Sequence, residues 1–237
     1  MSMQHAWQTQ LQQYAQEHNI NEAGQTFFLT YYEDVDSEDL SLLPVNDLVA
    51  AARSHQRTAA MPRLPGQSHV EILQQAAEAD FAANETVINI VFDDLPFLID
   101  SLIMLLNRPP QQSGEVKVDM QLLVHPIFTI KRNENGELQS WSRSRSTDNG
   151  RESWVQIRTN KLSDDHANQL KAEIESTLST LYKVVSDEGL MRRALSQVTT
   201  QVQQQWHQDN EEVLAFLNWL SANHFLFMGF CEYDLTQ

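Results

Sequence analysis

Asp93 and Asp94 are the residues whose types and position could do chemistry. They close the apolar run 86–92 and are followed at once by Leu95-Pro96-Phe97-Leu98-Ile99-Asp100-Ser101, which opens an apolar stretch to Leu106. This reads as a strand that stops at two carboxylates and turns into a helix. Pro96 is expected at the first helical position, where its missing N–H costs nothing and its fixed φ suits a helix start. A helix start leaves backbone N–H groups free, here those of Phe97 and Leu98, and they can receive a carboxylate. Asp93 or Asp94 can hold an ammonium. Those two halves are what binding a free amino acid requires, so Asp93, Asp94, Phe97, Leu98, Asp100 and Ser101 are candidate effector-binding residues. The simpler alternative is that one aspartate caps the helix while the other is solvated.

His125 joins this set because it precedes Pro126 at an expected strand bend, with a satisfied sheet histidine as the alternative. Other reaction chemistry is not legible. The seven glycines include no pair at Gly-x-Gly spacing, so neither a dinucleotide fingerprint nor a phosphate loop is present. The eight histidines show no paired-ligand spacing, and the single cysteine, Cys231, rules out a thiolate zinc site. Ser101 and Ser153 lie in no nucleophile context. No catalytic, cofactor-binding or metal-ligating residue is assigned.

The elements that must position these residues follow from periodicity. Residues 5–18, 23–35 and 45–61 carry apolar side chains at helical spacing, with Pro44 at a helix start. Met61-Pro62-Arg63-Leu64-Pro65-Gly66 ends this helical region, since two prolines and a glycine cannot continue it. Beyond it the period changes to that of strands: 69–74 as a half-buried strand, 86–92 as a fuller one, then the apolar helix from Pro96 to about Asn107, stopped by Pro109 and Pro110. Residues 116–132 are long for one strand, and Pro126 implies a bend at His125-Pro126. Asn133-Glu134-Asn135-Gly136 signals a hairpin into a strand from Glu137 to about Arg143. After a polar loop, 144–150, a further strand runs from Glu152 to Arg158, with Trp154 and Gln156 facing away from Val155 and Ile157. Ser163 caps a helix whose stripe, Ala167, Leu170, Ile174, Leu178, Leu181 and Val185, should cover a sheet face. Helices at 188–207 and 210–222 follow, then a strand-like apolar run from Phe225 to Tyr233.

The expected organisation is therefore an N-terminal helical segment, 1–65, an α+β domain, 66–186, a helical connector, 187–222, and 223–237 as the first strand of a following domain. The run at 225–233 needs both faces covered, which points to a longer polypeptide. Net charge is −16, from 16 basic and 32 acidic residues, which argues against nucleic-acid or membrane partners. Residues 131–161 reverse the sign locally and could meet an acidic partner domain. One cysteine, no signal peptide and no bilayer-length apolar run make a cytoplasmic location the expectation.

Four blocks in order, Val91 to Ser101, His125-Pro126 with Lys131-Arg132 and Asn135-Gly136, Glu152-Ser153-Trp154, and Glu211 to Leu220 with Phe225 to Asp234, resemble the N-terminal region of the large bacterial NAD-specific glutamate dehydrogenases. The resemblance runs from about residue 27 to the end. It implies an ACT-like, ferredoxin-like module: a mostly antiparallel sheet with helices on one face, here preceded and followed by helical segments. It also implies that NAD and the catalytic residues belong to the parent enzyme, with no cofactor in this segment. ACT modules often carry Asp-x-Pro-Gly after the first strand. Asp94-Leu95-Pro96 matches its beginning, and Phe97 replaces the glycine that lets a ligand approach the backbone. Three roles follow as expectations: a regulatory and assembly segment contacting downstream domains of the same chain, a sensor of a small amino acid, or an architectural module forming a homo-oligomer.

Overall fold

A computed structural model describes residues 6–74, 85–110, 116–143, 150–205 and 211–233. The chain forms two compact units, Met1–Ser179 and Thr180–Gln237.

The first unit opens with four helices: α1 (Ala6–Glu17), α2 (Glu22–Tyr31), α3 (Ser37–Ser41) and α4 (Val45–Ala60). Caps set their starts. The Asn21 side chain accepts from Gly24 N at 2.9 Å and Asp36 accepts from Glu38 N at 2.8 Å, each relieving an orphan helix donor. Pro44 flanks α4, as expected. The helix expected over 23–35 stops instead at Tyr31, and α3 is an addition. Five residues are too few to display a helical period, which is why the sequence hid it.

Among the described residues six strands form one sheet with every pairing antiparallel: β1 (His69–Leu73), β2 (Glu85–Asp93), β3 (Met120–Val124), β4 (Ile127–Arg132), β5 (Leu138–Ser142) and β6 (Gly150–Asn160). The spatial order is β1-β2-β6-β4-β5, with β3 also paired to β6. The bend expected at Pro126 divides one long run into β3 and β4, both hydrogen-bonded along β6. The Pro126 carbonyl, which needs no N–H of its own, still accepts from Trp154 N at 3.0 Å. Between β2 and β3 lies α5 (Leu98–Leu106), and after β6 comes α6 (Asp164–Gln205). The fold is α+β and ACT-like. Its edge beside β2 is filled by β1, a strand that precedes β2 in the chain.

Alternation along the strands sorts the sheet into two buried faces. Val91 of β2, Leu122 and Val124 of β3, Phe128 and Ile130 of β4 and Trp154 of β6 pack with α1 to α4 in one core that includes Trp7, Phe27, Tyr31 and Tyr32. Phe128 and Trp154 meet edge to face at 4.7 Å between ring centroids. The opposite parity, Ile88, Ile90 and Phe92 with Val155 and Ile157, is equally buried. That leaves the apolar stripes of α5 and early α6, with Leu98, Leu102, Leu170, Ile174 and Leu178 all buried, to cover the second face. The helical layer and the sheet thus share a core, and Met61 to Gly66 is a link inside the first unit.

In the second unit, α6 continues without a break through the point where two separate helices were expected. Gly189 weakens a helix without ending it, and the Glu188 to Arg192 bond at 2.7 Å spans the site at i, i+4 spacing. Then come α7 (Glu211–Trp219) and a π-helical turn (Leu220–His224). Residues 225–233 form no helix and join no sheet among the described residues. Phe225, Met228, Phe230 and Tyr233 are exposed. Among the described residues no helix is long and apolar enough to cross a membrane, and no group of three or more His, Cys, Asp or Glu side chains is placed to hold a metal ion.

Candidate functional site

The two aspartates at the end of β2 point to opposite sides of the sheet, as consecutive strand residues must. Asp93 turns toward the helical layer, where Oδ1 accepts from Arg63 Nη2 at 2.8 Å and Oδ2 from Gly66 N at 2.6 Å. Asp94 turns the other way. Its Oδ1 accepts from the Ser153 hydroxyl at 3.0 Å and its Oδ2 lies 3.2 Å from Arg151 Nη2. Each carboxylate therefore already holds an arginine.

The helix does not begin at Pro96. Pro96 and Phe97 form a turn, and α5 starts at Leu98. The reason lies in Phe97, whose φ of 65° is left-handed and cannot belong to a right-handed helix. Phe97 thus adopts the conformation that a glycine takes readily while keeping a phenyl ring, and that ring is 45% exposed. Phe97 is the N-cap residue of α5, but its side chain neither enters the core nor makes a capping hydrogen bond. Leu98 is a buried anchor, Asp100 lies exposed in the first turn, and half-buried Ser101 donates its N–H to the Phe97 carbonyl at 2.9 Å.

His125, at the break between β3 and β4, is half-buried. Its Nε2 is buried without a hydrogen-bond partner among the described residues. Burial lowers its pKa, against the opposing pull of the Asp94 and Asp34 charges. The structure therefore groups Asp94, Arg151 and Ser153, sets His125 within their electrostatic reach, and directs Asp93 elsewhere.

A buried ionic network, unforeseen from the sequence, occupies the Asp93 side. Arg63 uses all five of its N–H donors: Nε and Nη2 on Glu152 Oε1 at 3.1 and 2.7 Å, Nη2 also on Asp93, and Nη1 on the carbonyls of Leu64 and Gln67. Arg132 is equally saturated, with Nε and Nη2 on Glu152 at 2.7 and 3.0 Å and its remaining N–H groups on the carbonyls of Ala59, Met61 and Gly136. Burial alone would raise the Glu152 pKa, but the hydrogen bonds and charges of Arg132 and Arg63 outweigh it and hold the carboxylate below its ordinary range. Two arginines and two carboxylates make the network neutral. A second network joins α4 to the sheet: the neutral His55 ring accepts from the Tyr31 hydroxyl at 2.7 Å and donates to Ile90 O at 3.1 Å. Burial pushes the His55 pKa down to about 3.

These features define an α+β sheet module in which the acids and arginines at the end of β2 are held in internal pairs. The family described as "Glutamate dehydrogenase, ACT1 domain" matches residues 27–174, more than half of the chain, and the chain belongs to that family. The match begins inside α2, so it takes in α3 and α4 of the helical layer but not α1. Among curated proteins the chain is similar to the NAD-specific glutamate dehydrogenase of Halomonas elongata, 26% identical over 223 residues, covering 90% of this chain and 13% of that protein. It is also 26% identical over 164 residues to the NAD-specific glutamate dehydrogenase of Pseudomonas aeruginosa, covering 65% of this chain and 10% of that protein. The chain thus spans only a small fraction of the length of the curated relatives it matches.

Proposed function

We propose that this chain is a non-catalytic, N-terminal regulatory and assembly segment of a large NAD-dependent glutamate dehydrogenase, an enzyme that converts L-glutamate and NAD to 2-oxoglutarate and ammonia. The observation that carries the reading is the ACT1 family match combined with coverage of 13% of a dehydrogenase. The fate of the charged groups supports it, because the acids and arginines near the β2 end are locked in pairs rather than poised for proton transfer. In this reading the exposed apolar residues 225–233 pack on downstream domains of the same polypeptide, and the parent assembles as an oligomer in the cytoplasm. The test is to supply the purified chain with glutamate and NAD. No NADH should form, and turnover would overturn the proposal.

A second reading is favoured by the conformation of Phe97 and the unpaired His125 Nε2: the junction of β2 and α5 holds a small amino acid as effector. Strain of this kind persists where surrounding structure imposes it, commonly at binding sites. An incoming ammonium would take Asp94 from Arg151. Calorimetry against a panel of amino acids should show heat that Asp94→Ala removes. Absence of heat with every amino acid would sink this reading.

A further inference from the structure

We propose that internal water is bound between β6 and the helical layer, accepting from Arg158 Nη1 and donating to Gln156 Oε1. These residues stand two apart on β6 and so share the sheet face that carries Trp154. Their partners across the ladder on β2 are Val87 and Asn89, and α4 lies over Gln156, whose Nε2 donates to the Ala51 carbonyl at 2.9 Å. Gln156 is 0% exposed and Arg158 2% exposed. Neither Gln156 Oε1 nor Arg158 Nη1 has a hydrogen-bond partner among the described residues.

The surrounding bonds fix which atoms are left over. Ser54 gives its one hydroxyl proton to Ala51 O at 2.7 Å, so toward Asn89 it is an acceptor, taking Nδ2–H at 3.0 Å. Asn89 must then turn Oδ1 to Gln156, which answers with Nε2 at 2.7 Å. A flipped Gln156 amide would set its oxygen against two acceptors, Ala51 O and Asn89 Oδ1, so Oε1 is the atom left unused. Arg158 spends Nε and Nη2 on Glu85 Oε2 at 2.8 and 2.7 Å, which balances its charge and leaves the two N–H groups of Nη1. What remains is an acceptor and a charge-balanced donor, each sealed from solvent. Leaving such atoms unpaired is costly, and protein interiors meet that cost with water held by about two to four hydrogen bonds. An anion would meet a guanidinium that Glu85 already neutralises, and an apolar group would pair with neither atom. Water both accepts and donates. The site stands whether or not the chain regulates a dehydrogenase.

The test is a crystal structure of the 237-residue chain at a resolution that shows ordered solvent. Water is expected at about 2.7–3.2 Å from both Gln156 Oε1 and Arg158 Nη1. Protein atoms filling either position, or no density beside either atom, would overturn the proposal. So would an anion on Nη1, which bromide in place of chloride would reveal by its anomalous signal. In solution, nuclear Overhauser contacts from water to the Gln156 Nε2 protons should carry the sign of a molecule that stays longer than the protein takes to tumble. Absence of such contacts, or contacts with the sign of fast-exchanging surface water, would count against the site.

Discussion

Arg63 and Glu152, 89 residues apart in sequence, are joined by two hydrogen bonds in the interior, with side chains only 4% and 3% exposed. Arg63 belongs to the segment leaving the helical layer and Glu152 to the central strand β6, so this pair fastens one layer to the other. Arg132 closes the arrangement from β4.

Removing Glu152 leaves two buried guanidinium groups with Asp93, bound to Arg63, as their one remaining counter-charge within the network. Breaking a buried pair in this way costs about 3–5 kcal/mol. Glu152→Ala is therefore expected to lower the unfolding free energy by that amount in urea titration. Asp93→Asn, which keeps an acceptor for Gly66 N, should cost about 1–2 kcal/mol. Equal effects of the two substitutions would show that Glu152 is not the centre of the network.

Two buried groups set the acid side of the stability curve. His55 has a folded pKa of about 3 against an ordinary 6.5, so between those values the unfolded chain binds a proton that the native state refuses. Its contribution is complete above about pH 6.5 and is lost as pH falls, at up to about 1.4 kcal/mol per pH unit. Glu152, whose pKa is depressed, contributes stability above its ordinary value of 4.5 that is lost as pH falls through its folded pKa. His55→Gln should accordingly flatten the decline between about pH 6.5 and about pH 5, leaving the steeper loss below. An unchanged slope in that variant would refute the assignment.

Gly136 is required by both its backbone and its surroundings. Its φ is 80°, and a Cβ there would lie 2.7, 2.8 and 2.9 Å from the O, N and C atoms of Arg63. The hairpin approaches this closely because Arg63 N donates to the Gly136 carbonyl at 2.9 Å. Gly136→Ala should cost about 2–3 kcal/mol, combining left-handed strain with displacement of the Arg63 backbone. Gly150→Ala is the control: a Cβ at Gly150 meets nothing within 4 Å, and alanine in a strand should be neutral or stabilise by about 0.5 kcal/mol. A tolerated Gly136→Ala would mean that the close approach is relieved elsewhere.

Much of this architecture was legible because local chemistry and tertiary demand agree. Pro44, Pro126 and Asn133 to Gly136 mark a helix start, a strand break and a hairpin, and each does so in the structure. The charge network was not legible, because Arg63 sits in a Pro/Gly-rich link where arginine ordinarily reads as solvated, and its partners come from β2 and β6. Glu152 and Arg132 stand out in the sequence as members of the locally basic stretch 131–161, as a strand start in the case of Glu152, and as parts of a family resemblance, none of which pairs them with Arg63. The uninterrupted α6 was missed because its composition turns polar without any residue that stops a helix. Pairing of 225–233 depends on a partner strand that local periodicity cannot identify. For the junction, the sequence located the two aspartates correctly but not their opposite directions, since strand parity assigns sides only once the last paired residue is known.

Phe97 offers a direct measure of strain at that junction. A non-glycine residue at φ 65° pays about 1–2 kcal/mol, and its exposed ring recovers little by burial. Phe97→Gly removes the steric cost but adds unfolded-state entropy of about 0.4–1 kcal/mol, so a net gain of up to about 1 kcal/mol is expected. Phe97→Ala keeps a Cβ in the left-handed region and should not gain. The difference between the glycine and alanine variants isolates the backbone term, because both delete the same ring. Should alanine prove as stable as glycine, the conformation costs nothing and the argument for an imposed, binding-competent geometry at Asp94 to Leu98 loses its physical basis.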